Sequence, residues 1–266
     1  MIFRLLFLVF VFIPFMLVAI PLQWLINALR LPFWTVLPRV FHKLGCIFLG
    51  LRVRVIGEPA TGRATLLVSN HISWTDIVAI GSVADVTFVA KREVGEWFFV
   101  GMVARLQKTI FVDRTRRSDA GRTSREIARH LASGNAVLLF AEGQSDIGTH
   151  VLPFRSALVG AAQHAMIDAG AKDVLIQPLT IAYTRLQGLP VSRNERSLIA
   201  WIKSRSVRQN IVEILTGSVK DVTVAFGAPL PLSETDNRKR VTKAAEDEVR
   251  ATLVALNRGL ELPGTV

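Results

Sequence analysis

Hydrophobic and polar positions divide the chain into two regimes. From Leu5 to Leu22 the sequence L-L-F-L-V-F-V-F-I-P-F-M-L-V-A-I-P-L holds 18 consecutive apolar or proline residues. That length sits at the threshold for crossing a bilayer, roughly 18 to 20 residues. A cleaved leader has a shorter apolar region and a small-residue cleavage site. No Ala-x-Ala follows here, and Trp24 and Trp34 stand where interfacial aromatics would. The segment therefore reads as a retained membrane anchor. Pro14 and Pro21 fit a spanning helix and a half-sunk one equally well. A second apolar stretch, residues 31–51, is broken by Pro32, Pro38, Arg39, His42 and Lys43, the pattern of an amphipathic helix resting on the membrane.

Beyond residue 50 the pattern becomes globular. Short apolar runs at 51–57, 65–69, 86–90, 109–113, 136–141, 174–182 and 222–227 predict strands. Between them, residues 74–83, 118–133 and 156–169 carry apolar positions at helical spacing, and 237–257 predicts a charged terminal helix. Strands alternating with helices predict an α/β domain with a mixed, largely parallel sheet flanked by helices. The expected organisation is an anchor over residues 1–50 and one domain over 51–266.

Composition sharpens the anchor and charge readings. Lys plus Arg number 32 against 21 Asp plus Glu, a formal charge of +11. Such an excess raises nucleic-acid binding, but the chain has one Tyr, no zinc-ligand spacing and no nucleic-acid module. Beside an apolar anchor, anionic lipid at the cytoplasmic leaflet is the better partner. The single cysteine, Cys46, lies in G-C-I-F-L-G and excludes an intramolecular disulfide or a cysteine-based metal cluster. It reads as a small core or membrane-facing residue.

Candidate chemistry gathers at predicted strand ends, where sheets of this class bind ligands. Asn70 and His71 follow the run T-L-L-V-S, and Ser73-Trp74-Thr75-Asp76 looks like a helix start that Ser73 could cap. A turn there folds Asp76 back to the His71 ring, fixing its tautomer and freeing the other nitrogen as a base. His42, His130, His150 and His164 have no evident partner in sequence. No Gly-x-Ser-x-Gly elbow supplies a protein nucleophile, so a substrate hydroxyl completes the arrangement. After another strand, F-V-D-R leads into Arg114, Arg116 and Arg117, suited to an anionic head group or to a charged surface. In F-A-E-G-Q-S-D, Glu142 fits either a site or a loop brace, and Gly143 permits close backbone approach. Pro178, inside L-I-Q-P-L, predicts a sheet edge or bulge.

Five blocks stand in order: N-H-I-S-W-T-D, F-V-A-K-R-E-V, F-V-D-R, F-A-E-G-Q-S-D with V-L-P-F-R, and L-I-Q-P-L. Over about residues 50–230 the chain thereby resembles the glycerolipid acyltransferase family, especially bacterial 1-acyl-glycerol-3-phosphate acyltransferases (PlsC-like). The resemblance implies a two-helix membrane element, an acyl donor on coenzyme A or acyl carrier protein, and no metal or other cofactor. It implies His71 as general base and Asp76 as its orienter. It further implies Lys91 near the thioester oxyanion or the phosphate, Arg114 on the acceptor phosphate, and Glu142 and Gly143 shaping the acceptor site. The expected reaction is acylation of the sn-2 hydroxyl of lysophosphatidic acid at the cytoplasmic face of the cell inner membrane. One departure stands out: the family's E-G-T-R-S is E-G-Q-S-D here, with Ser145 in place of an arginine. That opens a lyso-ornithine lipid as alternative acceptor, with Asp146 favouring a cationic head group. A non-catalytic basic protein binding membranes or nucleic acid is the alternative from another class.

Overall fold

The computed structural model describes residues 2–113, 119–157, 159–160, 174–202, 206–232 and 237–262. Among the described residues nine strands form one sheet: β1 (Leu51–Ile56), β2 (Ala64–Ser69), β3 (Val86–Lys91), β4 (Ile110–Val112), β5 (Ala136–Phe140), β6 (Val174–Leu186), β7 (Leu189–Pro190), β8 (Lys220–Phe226) and β9 (Leu230–Leu232). The path is β1-β8-β6-β2-β5-β3-β4, with β7 and β9 paired on β6. Strands β6, β2, β5, β3 and β4 are mutually parallel, while β8 runs antiparallel to β6 and parallel to β1. This is the mixed, mostly parallel sheet expected from the pattern.

The central strands read as unbroken apolar runs because both of their faces are covered. Along β2 and β5, side chains alternate between two cores. Leu66, Val68, Val137 and Leu139 pack on one face with Val249 and Leu253 of the terminal helix. Leu67, Leu138 and Phe140 pack on the other with Ala79 and Ile80. Burying one such leucine stabilises the fold by about 1.5–3 kcal/mol.

The helices are α1 (Ile2–Ala28), α2 (Val36–Leu49), α3 (Thr75–Val83), α4 (Arg92–Glu96), α5 (Phe98–Leu106), α6 (Asp119–Ala132), α7 (Arg193–Ile199), α8 (Val207–Thr216) and α9 (Arg238–Asn257). The predicted helices at 74–83, 118–133 and 237–257 are present to within a residue at each end. Most of the one predicted at 156–169 lies outside the described residues. Strands β7 and β9 and helices α4, α5, α7 and α8 were not anticipated. Of these, α7 carries a legible start, a capping box between Ser192 and Glu195.

Helix α2 buries His42, Gly45, Cys46 and Leu49, one stripe at helical spacing, and stops at Gly50, whose φ of 69° suits glycine. Cys46 is a core residue, its Sγ 3.6 Å from the Val78 carbonyl. His42 Nε2 meets Gln107 Oε1 at 2.9 Å, His130 Nδ1 meets Thr87, and His150 Nδ1 meets Thr149, whereas His164 lies outside the described residues.

Helix α1 is long and apolar enough to cross a membrane, with mean hydropathy 2.9 over its best window, and only 11% of that window is buried. A core helix would bury far more. Both ends are nevertheless fastened to the sheet domain. Arg4 donates to the carbonyls of Leu215 and Gly217 just past α8, and Asn27 Nδ2 donates to Leu106 O at 2.8 Å. Midway, Phe12 packs on Phe41 and Phe48 of α2, with ring centroids 5.6 and 5.9 Å apart.

Pro178 departs from expectation. It lies inside β6 opposite Val68 of β2, not at a sheet edge. The other neighbour of β6 changes there, from β9 up to Ile176 to β8 from Leu179. A residue without an N–H therefore sits where no ladder bond is demanded, and its carbonyl accepts from Gly227 N at 2.8 Å.

Candidate active site

The end of β2 is tied down residue by residue. Asn70, buried, behaves like one more ladder residue: its Nδ2 donates to Ile181 O at 3.0 Å and its Oδ1 accepts from Ile181 N at 2.9 Å. His71 follows, held from both sides by the loop after β5. Its N–H donates to Glu142 Oε2 at 2.8 Å, and its carbonyl accepts from Asp146 N at 2.9 Å. The ring lies flat on Phe140, centroids 4.0 Å apart and planes 20° apart.

Asp76, in the first turn of α3, points back to this ring with Oδ2 2.8 Å from His71 Nδ1. The same oxygen accepts from Ile72 N at 2.6 Å and Ser73 N at 2.9 Å. Asp76 thus ties down the turn that leads into its own helix. Ser73, expected as the cap, makes no side-chain cap bond, and its Oγ is buried without a partner among the described residues. The other carboxylate oxygen, Oδ1, accepts from Tyr183 OH at 2.8 Å, and Tyr183 lies 2.5 Å from Thr75 Oγ1. Burial, with the Asp76 charge beside it, pushes the Tyr183 phenol well up, so it remains a donor. Nε2 of His71 has no hydrogen-bond partner among the described residues. The side chain is 16% exposed, against 0% for Asp76. A neutral imidazole in this tautomer presents one lone pair outward, the geometry of a base waiting for a proton.

Tyr183 and Phe140 were missed at the sequence level. A signal for Tyr183 existed: it is the one tyrosine in the chain, set in an apolar strand, and a buried phenol needs a partner. Phe140 looked like any core residue.

The other expected site residues separate. Glu142 is 3% exposed, and its second oxygen accepts from Leu152 N at 2.7 Å. With both oxygens on backbone amides it braces the loop that holds His71. Burial, helped by Asp146 and Asp76 and opposed by these two amides, pushes its carboxyl up to about 8. Gly143 has a φ of 74°, and its amide donates to Phe140 O at 3.1 Å. Lys91 ends β3 and is exposed. With β5 between β2 and β3, it stands two strand spacings from the end of β2, about 10 Å along the same sheet edge. Arg114, Arg116 and Arg117 lie outside the described residues.

Comparisons with known proteins agree with this geometry. An acyltransferase family model matches residues 52–182. A lyso-ornithine lipid O-acyltransferase of Brucella abortus is 41% identical over 92% of this chain and 91% of its own length. One from Rhizobium meliloti is 38% identical over 91% of this chain and 83% of its own length. A 1-acyl-sn-glycerol-3-phosphate acyltransferase of Neisseria meningitidis is 30% identical over 79% of this chain and 77% of its own. The crystal structure of PlsC from Thermotoga maritima shares the fold, with a TM-score of 0.61 over 90% of this chain and 95% of that one at 21% identity. The non-catalytic reading therefore falls. A histidine fixed by a buried carboxylate at the edge of such a sheet, within a sequence this close to those relatives, places the chain in the PlsC-type acyltransferase family.

Proposed function

We propose that this enzyme acylates the hydroxyl of a lyso-ornithine lipid, with His71 as general base and Asp76 as the group that orients it. His71 Nε2 removes the proton from the acceptor hydroxyl as its oxygen attacks the thioester carbonyl of acyl-coenzyme A or acyl carrier protein. The tetrahedral intermediate expels the thiolate, which takes the proton back from the imidazolium. The new ester and the free thiol balance the reaction, and no step calls for a metal or redox group. Asp76 holds Nδ1–H and stabilises the transient imidazolium. Since the Gly143 amide is engaged in its turn, the Lys91 ammonium is the donor we assign to the thioester oxyanion. Glu142 acts through the His71 and Leu152 amides.

The observation that carries the choice of acceptor is Ser145. At the position where the family resemblance calls for an arginine, its hydroxyl donates to Trp201 O and offers a phosphate nothing. Two relatives that match more than nine-tenths of this chain carry the lyso-ornithine name. The lysophosphatidic acid acceptor remains the second reading, favoured by the Neisseria relatives and by the +11 charge, to which Arg114 would contribute.

We place the reaction at the cytoplasmic face of the inner membrane, where activated acyl donors are made and anionic lipid attracts basic protein. A 27-residue helix is about 40 Å long, and both its ends bond to one sheet domain. That arrangement favours a helix lying in one leaflet over a span.

The test is thiol release by the purified, detergent-solubilised enzyme with lyso-ornithine lipid and lysophosphatidic acid as acceptors. Lyso-ornithine lipid is expected to give the higher kcat/KM, and preference for lysophosphatidic acid overturns the assignment. His71→Ala is expected to lose about 10²–10⁴-fold in kcat while staying folded. Near-native turnover would remove His71 as base.

A further inference from the structure

We infer that Arg155 and Asp146 together read the head group of the acceptor, Arg155 its carboxylate and Asp146 its ammonium. The inference rests on the lyso-ornithine reading and assigns the residues that enforce it.

Arg155 is brought to the site by backbone pairing. Its N–H donates to Ala141 O at 2.9 Å, which lays residues 151–155 beside the end of β5. Its side chain then crosses Gly143. A Cβ built on Gly143 would stand 2.7 Å from Arg155 Nε and 3.0 Å from Cδ and Cζ. Only glycine leaves room for the guanidinium there, one residue from Glu142 and its bond to His71. The residue is exposed, and its guanidinium makes no hydrogen bond or ion pair to any described residue. A planar fork of donors lying on this loop and unspent among the described residues suits a carboxylate.

Asp146 faces the complementary problem. Its amide is bound to the His71 carbonyl, so the residue moves with the base. Its Oδ2 is buried and has no hydrogen-bond partner among the described residues. His150 Nδ1 faces it from 3.6 Å, on a side chain that is 56% exposed. A buried carboxylate oxygen whose one ionic contact among the described residues lies beyond hydrogen-bond reach is under-satisfied, and a ligand donor completes it. Its charge is felt at the site, because it adds to the upward push on Glu142.

The two charges match one chemistry. In a lyso-ornithine lipid the α-nitrogen is taken up in the amide to the hydroxyacyl chain, leaving a free carboxylate and a side-chain ammonium. Five bonds of about 1.5 Å separate these groups, about 6 Å when extended. Arg155 lies against Gly143 and Asp146 follows three residues later, at most about 10 Å along the chain, so both side chains border the same loop. A phosphate monoester satisfies Arg155 and is repelled by Asp146.

The experiment measures KM and kcat for full-length wild type, Arg155→Gln and Asp146→Asn in detergent. Acceptors are lyso-ornithine lipid, its analogue without the side-chain amine (a 3-hydroxyacyl norvaline), and lysophosphatidic acid. Arg155→Gln is expected to raise KM for all three, each of which carries an anion for Arg155, by about tenfold to hundredfold, the range of a lost charge-assisted bond, with kcat within a few-fold. Asp146→Asn is expected to raise KM for lyso-ornithine lipid alone and to erase the wild-type penalty against the norvaline analogue. Equal KM shifts for all acceptors in Asp146→Asn, an unchanged KM in Arg155→Gln, or a loss confined to kcat, overturn the inference. If wild type turns over lyso-ornithine lipid while neither variant shifts its KM, the acceptor assignment stands and this inference falls. If wild type rejects lyso-ornithine lipid, both fall.

Discussion

Asp76 shows how much of the site depends on single hydrogen bonds. Four donors converge on its carboxylate, from His71, Ile72, Ser73 and Tyr183. Removing the Tyr183 hydroxyl leaves Oδ1 buried without that partner. Tyr183→Phe is therefore expected to cost about 1–3 kcal/mol of stability and to lower kcat several-fold, with the acceptor KM unchanged. Thermal melts and steady-state kinetics check this, and wild-type values for both would count against the network. Glu142 makes a second prediction through its proton. Burial raises its carboxyl from 4.5 to about 8, so the folded chain binds that proton more tightly than the unfolded one. The contribution is complete below about pH 4.5, declines as pH rises towards about 8, and is flat above. Wild type is expected to lose stability across that window relative to its acidic value, and Glu142→Gln to show a flatter profile. Denaturation followed against pH decides it, identical profiles being the contrary result.

Among the elements, legibility followed local pattern. Strands β2 and β5 were readable because both faces are covered and the runs are continuous. Helix α2 was readable because its apolar positions repeat at helical spacing up to Gly50. Strand β9 is three residues long, and it exists through pairing with β6, which lies more than 50 residues earlier. No local pattern encodes such a partner. Pro178 misled for the same reason. Proline disfavours the interior of a sheet, but the change of neighbour from β9 to β8 removes the demand for its N–H. Helix α3 starts without a side-chain cap; the carboxylate of Asp76, turned towards His71, instead binds two amides of the turn before it.

At the scale of the whole molecule, charge and apolar surface act together. A +11 chain carries an apolar helix whose Phe10 is 71% exposed, and Phe98, at the start of α5, is 91% exposed. Apolar burial in lipid is insensitive to salt, whereas attraction between exposed charges fades as the Debye length drops from about 10 Å at 0.1 M to about 3 Å at 1 M. Binding to vesicles containing anionic lipid is expected to weaken at 1 M salt without being lost. Complete release in a flotation assay would mean that charge alone holds the protein to the surface.

The sequence by itself determined the principal strands and helices, the long apolar N-terminal helix and the His71–Asp76 couple. Each of these is written within a few residues, as a run, a repeat or a turn that brings two side chains together. Only the tertiary structure decided which groups surround that couple. It brought Tyr183 to Asp76 from 107 residues away and Glu142 to His71 from 71. It laid Arg155 across Gly143 and fastened Arg4 to the end of α8. These contacts follow from the order in which parallel strands stack and from where their carboxyl ends coincide, a property of the assembled sheet that no short stretch of chain contains.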